Sequence, residues 1–148
     1  MVASSNGPVP VSFGFHPYFG FSESSRANWH LELPVMRKLL VDGRGIPTGE
    51  EEPFSGFKAK LDESSFDDGF ALMEEQATFS VAGATCRVSV ELLDGYRYAQ
   101  VFAPNDKDYI ALEPMTAPTN ALTSGRGLRF VLPGERFRAA FRIHIARA

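Results

Sequence analysis

Residues 86–92, CRVSVEL, carry the pattern that decides the fold class. Cys86, Val88, Val90 and Leu92 fall on one parity, and Arg87, Ser89 and Glu91 on the other. A period of two means an extended strand with one face buried and one face wet. The same alternation recurs outward from this stretch. NWHLEL (28–33) sets Trp29, Leu31 and Leu33 against Asn28, His30 and Glu32. FRAAFRIHI (137–145) sets Phe137, Phe141, Ile143 and Ile145 against Arg138, Arg142 and His144. VPVSFGFH (9–16) puts Val9, Val11, Phe13 and Phe15 opposite Ser12, Gly14 and His16. One-sided faces of this kind suit antiparallel sheets.

Turn signals punctuate the strands: DGRGIPTGE at 42–50, DGY at 94–96, SGRG at 124–127 and PGE at 133–135. FALMEEQATF (70–79) and APTNALTS (117–124) are the two places for a helical turn, though neither has an apolar stripe. The acidic GEEEP (49–53) reads as a solvated loop. No strong repeat, low-complexity linker or domain boundary interrupts the chain. The expectation is an all-β, antiparallel β-sandwich forming one domain over residues 1–148.

Composition excludes several classes. The 148 residues carry a net charge of −3, and basic residues form no run longer than two. That is not the clustered Lys and Arg of a nucleic-acid footprint. No apolar stretch approaches the ~18 residues of a membrane-spanning helix. MVASSNGPVPVSF (1–13) lacks the basic-then-apolar pattern of a secretory signal. The single cysteine, Cys86, has no intrachain partner and sits on an apolar parity, so it reads as a buried thiol. The default reading is cytoplasmic. The three histidines show no metal-ligand spacing, and the two GRG stretches at 43–45 and 125–127 are ordinary turns rather than phosphate cradles. His30 and His144 lie on polar parities and read as solvated.

One histidine stands apart. FGFHP (13–17) and IALEP (110–114) share a design: apolar, small, apolar, titratable, proline. His16 shares a face with Gly14, and Glu113 with Ala111. The small neighbour leaves space beside the titratable group, and the proline biases that group toward extended backbone. Such stiff strand ends suit an acid and a base held against a small ligand. Taken singly, a histidine among aromatics is more often a packed, hydrogen-bonded core residue. A glutamate before proline is usually solvated. The repetition of the pattern favours function.

PVPVSFGFHPYF (8–19) and ALEPMTAPTNAL (111–122) resemble the two signature segments of the aldose 1-epimerases, the galactose mutarotase-like proteins. SFDDGF (65–70) is similar to a third, sugar-contacting segment, and LPGERFRAAFRI (132–143) to the closing strand. The segments come in the family's order. The resemblance implies an antiparallel super-sandwich with a sugar cleft on its concave face. It implies His16 as general acid, Glu113 as general base and Asp67 as a carboxylate binding sugar hydroxyls. Asp68 remains a rival for that last place; Asp67 fits better because Phe70 then completes the Asp-x-x-aromatic pattern. Tyr18 and Phe70, with Phe15 and Phe19, are candidate apolar walls for sugar C–H surfaces, although ordinary core packing explains each ring singly. The implied reaction interconverts the α and β anomers of a free aldohexose, and because acid and base exchange roles it requires no cofactor or metal.

The resemblance covers only the C-terminal half of the family's usual length. The upstream part normally completes the sandwich and supplies an Arg and another His. Arg26, Arg37 and Arg44 follow His16 and do not match those positions. The expected partner is a small-molecule sugar, together with either a second copy in a homo-oligomer or the missing N-terminal half, because half a sandwich leaves an apolar face or edge uncovered. A truncated enzyme, a chain completed by another polypeptide and an inactive remnant all fit. The functional alternatives are a non-catalytic carbohydrate-binding remnant and a glycoside hydrolase using Asp67 with Glu113, which needs a defined carboxyl separation.

Overall fold

A computed structural model of the protein describes residues 6–147; the first five residues of the N-terminal stretch read above lie outside that range. The chain forms strands β1 (Val9–Val11), β2 (Tyr18–Phe19), β3 (His30–Leu33), β4 (Met36–Val41), β5 (Pro47–Phe54), β6 (Phe57–Lys60) and β7 (Phe66–Leu72). They are followed by β8 (Ala77–Ala82), β9 (Cys86–Asp94), β10 (Tyr98–Ala103), β11 (Ile110–Met115), β12 (Arg129–Val131) and β13 (Ala140–Arg147). One short helix, α1 (Ala121–Ser124), and a 3-10 turn (Arg26–Asn28) complete the described residues. Every strand pairing is antiparallel.

Two sheets face each other. One has six strands in the order β2-β11-β10-β7-β4-β5, the other five in the order β13-β9-β8-β3-β6; β1 and β12 make a separate ribbon. The alternation in the sequence is the packing code. Leu31, Leu33, Phe79, Val81, Val90 and Leu92 from the five-stranded sheet, with Trp29 just before β3, meet Phe70, Ala99, Val101, Ala103, Ile110 and Leu112 from the other in one buried cluster. Truncating a ring such as Phe70 or Trp29 to alanine is expected to cost ~3–5 kcal/mol.

A smaller cluster joins Val11, Val131 and Phe137 beneath the ribbon. Phe13 packs against both clusters, edge-on to Tyr96 and Phe137 at 6.3 and 6.0 Å. This ring anchors the FGFHP segment to the body of the fold.

Several elements differ from expectation. The 9–16 stretch is not one strand: β1 ends at Val11, and Gly14 then makes a single bridge to Met115. The 70–79 stretch holds no helix and instead joins β7 to β8, whereas the 117–124 stretch does contain α1. The acidic 49–53 segment lies within β5, the outermost strand of its sheet. Glu50, Glu51 and Glu52 are exposed there, and charge on an edge strand discourages further pairing. Cys86 is half-buried rather than buried. Ile143 and Ile145 keep the parity of the core-facing residues Val90 and Val88, their register partners. They are nonetheless 43% and 66% exposed, on an edge strand whose packing against the core is at Phe141, beside Tyr96.

Candidate active site

The site is built by register on the outer face of the six-stranded sheet. Asp67, Phe102, Ala111 and Tyr18 form one row across β7, β10, β11 and β2. Gly69, Gln100 and Glu113 form the next row. Residues directly opposite in antiparallel strands share a face, so these side chains point together, away from the core. Asp68 falls in the other parity, opposite core-facing Val101. There it pairs with Lys38 at 2.7 Å. Asp67, not its neighbour, shares the face with Glu113.

Phe70 does not line this face. It is three residues from Asp67, hence on the opposite side of β7, and it is fully buried against Phe54. Its expected role as a wall for a sugar is corrected to core packing. Phe19 is also half-buried against the core. Phe15 is exposed, with its ring 5.2 Å from that of Phe141.

His16 reaches the site because its segment is laid on the end of β11. Phe15 N–H donates to the Pro114 carbonyl at 3.1 Å, and Thr116 N–H donates to the Phe13 carbonyl at 2.9 Å. A Cβ on Gly14 would lie 2.9 Å from the Pro114 oxygen and 3.2 Å from Met115 Cγ. Glycine at 14 thus serves close backbone approach rather than open space for a ligand. The imidazole stacks on Tyr18 at 4.5 Å and meets Phe102 edge-on at 6.3 Å. Those two rings flank Ala111 in the register, so the room left by that small side chain is taken by His16 itself. Tyr18 Oη lies 3.5 Å from His16 Nε2.

His16 Nε2 stands 3.0 Å from Glu113 Oε1, with the two side chains 48% and 11% exposed. The approach lacks hydrogen-bond geometry, and Oε1 is a buried acceptor with no hydrogen-bond partner. Burial, with the nearby Asp67 charge, pushes the Glu113 carboxyl up to about 7. A carboxyl raised in this way exchanges a proton near neutral pH, the requirement for acid–base work.

Gln100 was not singled out by the sequence. Its Nε2 donates to Asp67 Oδ1 at 2.9 Å, and it sits between Gly69 and Glu113 in the register. The available signal was its position as the polar residue of YAQVFA, between Ala99 and Val101, which are both buried. Beside it a hollow of about 90 Å³ is bordered by Asp67, Gly69, Leu39, Val41, Pro47 and Met115. Behind the row, buried Arg26 donates to the carbonyls of Asp62, Ser64 and Ala103 at 2.8, 2.7 and 3.0 Å. It ties the entry to β7, and hence Asp67, to the end of β10. Among the described residues no group of three or more His, Cys, Asp or Glu is placed to hold a metal. No helix there is long and apolar enough to cross a membrane.

The family model for aldose 1-epimerase matches residues 1–144. The chain belongs to the aldose 1-epimerase family. It is 27% identical to the protein YihR of Escherichia coli (strain K12) over 153 residues, covering 97% of this chain and 50% of that one. Its fold matches a galactose mutarotase-like protein from Clostridium acetobutylicum with a TM-score of 0.78 at 21% identity, over 96% of this chain and 49% of that one. It also matches the Slr1438 protein of Synechocystis sp. PCC 6803 with a TM-score of 0.75 at 26% identity, over 99% and 48% of the two chains. The chain thus spans about half the length of the relatives it matches.

Proposed function

We propose that this chain carries the acid–base pair of an aldose 1-epimerase, an isomerase that interconverts the anomers of a free aldohexose. The observation that supports this reading is the convergence of His16 and Glu113, 97 residues apart in sequence, to 3.0 Å on one exposed sheet face. The anomeric oxygen and the ring oxygen of a pyranose are bonded to the same carbon. An acid and a base this close reach both.

In the forward step the Glu113 carboxylate accepts the proton of the anomeric hydroxyl. Protonated His16 donates to the ring oxygen, and the bond between that oxygen and C1 breaks. The open aldehyde turns about its C1–C2 bond. Closure on the other face returns both protons, with Glu113 now acid and His16 now base. The sugar replaces the His16–Glu113 contact with two contacts of its own. Asp67, oriented by Gln100, accepts hydrogen bonds from ring hydroxyls, and Tyr18 packs beside the imidazole.

A second reading, a carbohydrate-binding remnant without catalysis, is favoured by one observation: the His16–Glu113 approach lacks hydrogen-bond geometry. Polarimetry of freshly dissolved α-D-glucose and α-D-galactose separates the two. The enzyme reading requires faster approach to equilibrium, lost in His16→Gln and Glu113→Gln. Saturable sugar binding without acceleration supports the remnant.

A further inference from the structure

We propose that Thr116 is a positioning residue that sets the distance between His16 and Glu113; its effect on rate rests on the epimerase reading above. The Thr116 side chain is buried. Its Oγ1 accepts the Phe13 N–H at 2.9 Å and its hydroxyl donates to the Phe13 carbonyl at 3.0 Å. The same carbonyl accepts the Thr116 N–H at 2.9 Å. Thr116, three positions after Glu113, therefore occupies both backbone groups of Phe13, three positions before His16.

This clamp supplies what the strands do not. β1 has ended at Val11 and β2 begins only at Tyr18. Between them, the backbone attachments to β11 and its end are the Gly14–Met115 bridge, the Phe15–Pro114 bond and the contacts of Thr116. Regular pairing would lock the segment by many bonds; here a side chain substitutes for the missing ladder. Removing the hydroxyl leaves the Phe13 N–H without its acceptor in a half-buried place, and the segment escapes that loss only by moving. His16 moves with it, while Glu113 stays fixed within β11.

The test uses the full chain with Thr116→Val, which keeps shape but loses the hydroxyl, and Thr116→Ser, which restores it. Polarimetric kinetics should show kcat falling at least ~10-fold in Thr116→Val with KM within ~3-fold, as loss of geometry at the reacting atoms demands. Thr116→Ser should lie within ~3-fold of the parent chain. A second readout is independent of catalysis. In the parent chain the imidazole nitrogen shifts of His16, followed by NMR, should respond to the charge on Glu113, because a carboxylate oxygen 3.0 Å from Nε2 alters the field at that nitrogen. That response should vanish in Thr116→Val and return in Thr116→Ser. Unchanged coupling in a folded Thr116→Val, or no recovery in Thr116→Ser, overturns the proposal. If Thr116→Val loses its cooperative melt, Thr116→Ala takes its place. A parent chain without epimerase activity removes the functional reading, while the NMR response still decides the role of Thr116.

Discussion

FGFHP and IALEP read alike, yet they fold differently. Glu113 sits inside a regular strand, nearly dry, with its carboxyl pushed up to about 7. His16 sits on an irregular segment, half-exposed and stacked on Tyr18. One motif became a rigid, desolvated carboxyl. The other became a wetter group held against it by backbone contacts at Phe13 and Phe15. The difference teaches that a titratable residue before proline does not fix an environment. Which neighbour the strand lies beside decides burial, and burial decides protonation.

The largest expected effect breaks the pair. Glu113→Gln and His16→Gln are each expected to slow epimerisation by ~10²–10⁴-fold, measured by polarimetry, with the melting curve still cooperative. Activity within a few-fold of the parent chain in either variant removes that residue from the chemistry.

Next comes the approach that joins the two segments. Gly14→Ala places a methyl 2.9 Å from a carbonyl oxygen that is itself hydrogen-bonded. It is expected to cost ~1–3 kcal/mol of stability, read from denaturant midpoints. An unchanged midpoint would mean that the backbone contact between the segments is looser than described.

The pH dependence of stability sharpens the contrast from the Glu113 side. Its folded-state pKa of about 7 lies above the ordinary value of 4.5. Between those values the folded chain binds more protons than the unfolded chain, so this group's contribution to stability falls as pH rises from 4.5 through 7 and is level above. Glu113→Gln should therefore be more stable than the parent at pH 8 by ~1–3 kcal/mol, and the gap should close toward pH 4.5. A constant gap across that range contradicts burial as the cause.

A smaller effect concerns Asp67. Its charge contributes to raising Glu113, so Asp67→Asn should lower the Glu113 midpoint, visible in carboxyl 13C shifts. The smallest effect lies away from the site. Ile145→Thr at the exposed edge of β13 should change stability by no more than ~0.5 kcal/mol, while lowering any self-association seen in sedimentation. A large destabilisation would show that β13 is covered in solution.

Much of the fold was legible in single strands, because alternation reports directly which side of a sheet is dry. NWHLEL and CRVSVEL place Trp29, Leu31, Leu33, Val88, Val90 and Leu92 inward as read. The pattern cannot say whether a second layer covers the inward face, and so Ile143 and Ile145 kept the right parity with the wrong burial. The acidic stretch at 49–53 hid a strand, because an edge strand does not need apolar residues. Within the site, His16, Glu113, Asp67 and Tyr18 converge on one face. By register Asp67, rather than Asp68, shares the face of Glu113, while Phe70, the reason given for preferring Asp67, lies in the core. Gln100 and Thr116 stayed hidden because their roles depend on cross-strand register and on one long-range clamp. Neither leaves a local pattern.

The sharpest measurement is the titration of the Glu113 carboxyl carbon by NMR in the sugar-free chain. A midpoint near 7, moving down in Asp67→Asn, is the predicted result. A midpoint near 4.5, unmoved by that substitution, would mean an ordinary solvated carboxylate and would contradict its assignment as the poised base.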